Sequence, residues 1–161
     1  MRHVLILCTG NSARSIMAEA LINHLGGDRV RGHSAGSNPG RTPHPMALET
    51  LRRAGVPTTG LRSKSWDRFT TAGAPPLDLV ITVCDRAAGE TCPLFPGPAR
   101  KVHWGLPDPP AAGDESAQRL CFSAVRDTLH RRFATLAAWP DADWERADFT
   151  DRVQALHSDI A

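Results

Sequence analysis

The stretch Val4-Leu5-Ile6-Leu7-Cys8-Thr9-Gly10-Asn11-Ser12-Ala13-Arg14-Ser15, followed at once by Ile16-Met17-Ala18-Glu19-Ala20-Leu21, decides the fold. An apolar run of strand length meets a short polar loop and then apolar residues at helical spacing, which is how an α/β protein begins. Cys8 and Arg14 close a loop whose backbone N–H groups, Thr9 through Ser15, can converge on one point at the positive end of the helix. A tetrahedral oxyanion suits that point. Arg14 offers a planar fork that binds two oxygens at once, where a lysine supplies only a point charge. Gly10 and Asn11 are residue types that tolerate left-handed backbone, and Ser15 is placed to donate to the Cys8 sulfur or to cap the helix. The same field is expected to lower the pKa of Cys8 and make it a nucleophilic thiolate.

Outward from this loop, helical spacing continues to Gly26-Gly27, and residues 30–34 alternate as an outer strand. Pro43 suits the first turn of a helix carrying Ala47, Leu48, Leu51 and Ala54, with Gly55 as its stop. Residues 60–76 are polar, with a short helix expected after Ser63. Residues 77–83 have the β-branched density of a strand buried on both faces, so Cys84 stands at its carboxyl end. Open parallel sheets bind ligands there, so Cys84 is expected to face Cys8. A loop over 85–98, a strand over 101–104, a loop bearing Asp108 and a long helix over 115–138 follow. The stripe of that helix is Phe122, Val125, Leu129, Phe133 and Leu136. Four parallel strands with flanking helices, in flavodoxin-like order, are the expected architecture. After Trp139-Pro140 an acidic tail is expected to hold a short terminal helix.

The 161 residues fit one domain, 1–161, with 139–161 as a C-terminal extension. No apolar run approaches the ~20 residues that span a bilayer, and no signal-peptide h-region is present. A cytoplasmic monomer is expected, with four cysteines too few for a disulfide scaffold. The net charge of +2 indicates neither nucleic acid nor a membrane. Up to Pro75 ten Arg and Lys face four Asp and Glu, while the remainder carries nine against thirteen, so the oxyanion loop lies in the basic half.

Cys8-x5-Arg14-Ser15 after an N-terminal strand, with Asp108-Pro109 downstream, resembles the low-molecular-weight protein tyrosine phosphatase superfamily. Cys84, Cys92 and the run His103-Trp104-Gly105-Leu106-Pro107-Asp108-Pro109 resemble its thioredoxin-coupled arsenate reductase branch. The resemblance implies that Cys8 attacks arsenate held by the loop and Arg14, and that Cys84 then attacks the Cys8 sulfur and releases arsenite. Cys92 takes over the resulting disulfide and presents it to thioredoxin, while Asp108 transfers protons. It implies no tightly bound cofactor and no metal, with phosphate or sulfate competing as oxyanions. Glutathione with glutaredoxin, or another small thiol, remains an alternative donor.

Two departures from the family pattern bear on function. Family members place Asn11, Glu19 and Ser34 around a potassium ion with an acidic residue, at whose position this chain has Lys64, so its ammonium is expected to replace the ion. Ala13 stands where many relatives have a second loop cysteine, and Asp108-Pro109 is followed by Pro110 in a chain without tyrosine. The lack of a tyrosine favours a bare oxyanion over phosphotyrosine, and the lack of a second loop cysteine leaves Cys84 as the candidate partner of Cys8. A tyrosine phosphatase, or an oxyanion or redox sensor without turnover, are the alternatives. Zinc on Cys84, Cys92 and His103 lacks a close Cys-x2-Cys pair. Cys121, at the edge of the long helix's stripe, reads as a packing residue.

Overall fold

Four parallel strands, β1 (Arg2–Leu7), β2 (Val30–Ala35), β3 (Leu79–Thr82) and β4 (Arg100–His103), lie in the order β2-β1-β3-β4. The computed structural model describes residues 1–40, 42–84, 95 and 99–157. Central β1 pairs Ile6 with Ser34 on one side and with Ile81 on the other. Val4 through Leu7 and all of β3 are buried, because helices and loops cover both faces of a parallel sheet and leave no wet side to alternate with. Val4 and Ile6 enter a large core with Ile81, Phe122 and Phe133, whereas Leu5 and Leu7 join Phe69, Leu77 and Val80 on the opposite face.

Helix α1 (Arg14–Gly26) packs its Met17, Leu21 and Ile22 into the large core and stops before Gly27, whose φ is +58°. His24, which the spacing places on the inward stripe, is exposed, and Ile22 takes the buried position. Helix α2 (Pro45–Arg53) begins two residues later than Pro43 suggests. His44 is its N-cap, with Nδ1 accepting from the Met46 N–H at 3.1 Å, so Pro45 is the proline of the first turn. The expected short helix after Ser63 is one 3-10 turn, Trp66–Phe69, capped by Ser65.

Helix α3 (Glu115–Ala138) has the expected bounds, its whole stripe is buried, and Asp114 caps it by accepting from the Ala117 N–H. The tail forms two short helices, α4 (Asp141–Trp144) and α5 (Phe149–Ala155), whose Trp144, Phe149 and Val153 complete the large core. Most of the loop over 85–98, Cys92 included, lies outside the described residues. No helix among the described residues is long and apolar enough to cross a membrane.

Candidate active site

The loop between β1 and α1 is held from outside by its carbonyls. Thr9 O accepts from Asn38 N at 3.0 Å, Gly10 O from Gly40 N at 2.9 Å, and Ser12 O from His44 N at 2.8 Å. Asn11 O accepts from Ser63 Oγ at 2.6 Å. With the carbonyls turned outward, the N–H groups turn inward. Among the described residues no hydrogen bond takes up the N–H groups of Asn11 through Ser15. The first residue of α1 is Arg14, and its N-cap Ala13 makes no side-chain cap, so the positive end of the helix opens on the same point.

Asn11 supplies the reversal of the chain. Its φ is +46°, its Nδ2 donates to Ser15 Oγ at 2.9 Å, and its Oδ1 accepts from Lys64 N at 2.9 Å. Gly10, expected in the same left-handed region, is not there, and Ser15 is engaged by Asn11 instead of capping the helix. The glycine that the loop requires is Gly36 on the neighbouring segment, where a Cβ would fall 2.6 Å from Cys8 O. Behind the loop, Lys64 Nζ donates to Glu19 Oε1 at 3.1 Å, to Arg62 O at 3.0 Å and, at 3.5 Å, to Ser34 Oγ. Ser34 Oγ also donates to Glu19 Oε1 at 2.6 Å.

Arg14 crosses the pocket from the other side. Nη1 donates to Leu106 O at 2.9 Å, Nη2 lies 3.6 Å from Asp108 Oδ1, and Nε is buried without a partner among the described residues. Cys8, Arg14, His44, Cys84, Leu106 and Asp108 border one cavity of about 790 Å³. Cys8 and Cys84, both buried, face the same cavity, and Thr9 Oγ1 stands 3.7 Å from Cys84 Sγ. The carboxyl ends of β1 and β3 thus bring the two thiols together.

The pKa of Cys8 runs opposite to expectation. The neighbouring Cys84 thiol pushes it up, burial adds to this, and the Arg14 charge and the Gly10 backbone N–H pull it down without prevailing. Cys121 packs against the large core, as its place on the stripe's edge suggests, and burial raises its pKa, with Asp108 adding to the rise and Arg14 opposing it. His44 and Leu106 escaped sequence reasoning. A shifted helix start hid the first, and the second acts through a backbone carbonyl that no side chain announces. Among the described residues no three His, Cys, Asp or Glu side chains cluster as a metal site.

With this geometry stand the known proteins that the chain resembles. The arsenate reductase of Halalkalibacterium halodurans is 35% identical over 135 residues, covering 83% of this chain and 94% of that protein. An arsenate reductase solved in the phosphate binding state is 29% identical with a TM-score of 0.64, covering 86% of this chain and 98% of that one. The thioredoxin-dependent arsenate reductase of Corynebacterium glutamicum is 27% identical with a TM-score of 0.60, over 84% of this chain and 60% of that one. Residues 3–146 match the profile of the low molecular weight phosphotyrosine protein phosphatases, and the chain belongs to that family.

Proposed function

We propose that the chain reduces arsenate to arsenite by a three-cysteine relay. The observation that carries the reading is one cavity bordered by Cys8, Arg14 and Cys84, beside a loop whose N–H groups from Asn11 to Ser15 have no partner among the described residues. Arsenate binds in the loop as a tetrahedral oxyanion, and phosphate or sulfate competes for the same donors. Cys8 sulfur attacks arsenic, its proton passes to an arsenate oxygen, and water departs with Asp108 supplying the further proton. Cys84 thiolate attacks Cys8 sulfur next. The As–S bond breaks with its electron pair going to arsenic, so As(V) becomes As(III), and a Cys8–Cys84 disulfide remains. Cys92 thiolate then attacks Cys84, Cys8 is released, and a dithiol donor reduces the Cys84–Cys92 disulfide while being oxidised itself.

Thioredoxin is the donor we assign, supported by the thioredoxin-dependent relative. Lys64, bonded to Glu19 and Ser34, takes the place of a bound monovalent cation behind the loop. The chain works as one domain and a monomer in the cytoplasm, a reducing compartment that regenerates the thiols.

Arsenate-dependent NADPH oxidation with thioredoxin and thioredoxin reductase tests the reading on the unaltered protein and on Cys8→Ser, Cys84→Ser and Cys92→Ser. Aryl-phosphate hydrolysis is measured beside it. Reduction is expected to vanish in all three variants, and any hydrolysis only with Cys8→Ser. Reduction that survives without Cys84 overturns the relay. Hydrolysis without any arsenate reduction makes the chain a phosphatase.

A further inference from the structure

The chain continues past residue 146, where the match to the family profile ends, into α5 and His157. Three consecutive residues, 103–105, are held by that added segment. Gln154 Oε1 accepts from His103 N at 2.9 Å and its Nε2 donates to His103 O at 2.6 Å, so one side-chain amide pairs with β4, the last strand in the order of the described sheet, as a neighbouring strand would. Trp104, fully buried, donates Nε1–H to Val153 O at 3.0 Å. His157 Nε2 donates to Gly105 O at 3.3 Å.

The segment making these contacts is itself rooted in the core. Phe149 and Val153 are fully buried, and Arg100 of β4 donates to Arg146 O at 3.1 Å with its guanidinium 5.1 Å from the Phe149 ring centre. The next residues along the chain from Gly105 are those that face Arg14. Leu106 O accepts from Arg14 Nη1, and Asp108 lies beside Nη2.

We propose that Val153, Gln154 and His157 form a clamp that positions the Asp108 segment over the oxyanion loop, so that the C-terminal extension is part of the machinery of turnover. These are positioning residues, since none of the three borders the pocket. The binding N–H groups belong to the loop after β1, which the clamp does not touch. Loosening it therefore displaces the proton-transfer carboxylate while the oxyanion cradle stays intact, and kcat suffers more than KM.

The inference rests on the assignment of Asp108 to proton transfer, and the experiment separates the two. Steady-state arsenate reduction is measured on the full chain as Gln154→Ala, Asp108→Asn and the double variant, with melting temperatures to verify folding. Gln154→Ala is expected to lower kcat by about tenfold, with the KM for arsenate within about twofold, and to cost nothing further in the Asp108→Asn background. A full kcat in Gln154→Ala, or the same fold-loss repeated without Asp108, overturns the clamp while leaving Asp108 in its role. A full kcat in Asp108→Asn overturns that role and the clamp with it. Should Gln154→Ala fail to fold, His157→Ala removes only the bond to Gly105 O and is read by the same criteria, with a smaller loss expected.

Discussion

Lys64 Nζ stands 3.1 Å from Glu19 Oε1 behind the oxyanion loop, with 12% and 13% of the two side chains exposed. The pair ties the segment that anchors Asn11 to helix α1 and to β2 through Ser34. Lys64→Ala leaves the Glu19 carboxylate without its cation and is expected to lower stability by about 2–3 kcal/mol. Potassium restores part of the loss in the variant, by refilling the space, and adds nothing to the unaltered protein. Melting temperatures in potassium and in sodium chloride check both statements, and a potassium effect on the unaltered protein contradicts them.

Cys84 is the largest cause of the raised Cys8 pKa. Cys84→Ala removes it and leaves Arg14 and the Gly10 N–H to act on the sulfur, so Cys8 ionises at lower pH than in the unaltered protein. The rate of Cys8 alkylation against pH, followed by mass spectrometry of the peptide, reads the midpoint. A midpoint that stays in place shows that burial holds the proton.

His33 lies against His3, with Nε2 3.0 Å from His3 Nδ1 and the ring centres 5.3 Å apart. Burial, then the charges of His3, Arg31 and Lys64, lower its pKa from 6.5 to about 4. A folded-state pKa below the unfolded value means that the unfolded chain binds more protons between the two. Stability is therefore full above pH 6.5 and is lost as pH falls towards 4. In His33→Gln the decline in melting temperature across that window is expected to flatten.

Arg132 on α3 is 3% exposed, its guanidinium is 5.2 Å from the Trp104 ring centre, and neither Nε nor Nη1 has a partner among the described residues. Burial, with Arg131 adding to it, lowers its pKa to about 10. Two buried donors without an acceptor cost more than ring contact returns, so Arg132→Met is expected to gain ~1 kcal/mol, or roughly 2–4 °C in melting temperature.

The fold was legible where burial imposes composition. β1 and β3 are apolar because both their faces are covered, and the stripe of α3 and its bounds are as the 3.6-residue period says. Element starts were less legible, since Pro43 and Pro45 both suit a first turn and the choice falls on the capping ring of His44. In the site, Cys8, Arg14 and Asp108 could be named from residue type and order. Leu106 could not, because it acts through its carbonyl, nor could Gly36, because its close approach to Cys8 O exists only once β1 and β2 pair.

The sequence alone determined the chemistry at hand: a thiol, a guanidinium and a loop of N–H donors adjacent in the chain, at the end of a strand whose burial follows from its apolar run. Tertiary structure decided what depends on distant parts meeting. Cys84 was expected to face Cys8 from its place at the end of β3, but only the packed structure, by burying the thiol beside that neighbour, reversed the direction of the Cys8 pKa. Tertiary structure also laid Gln154 against His103 of β4, a contact between residues 51 positions apart that no local pattern encodes.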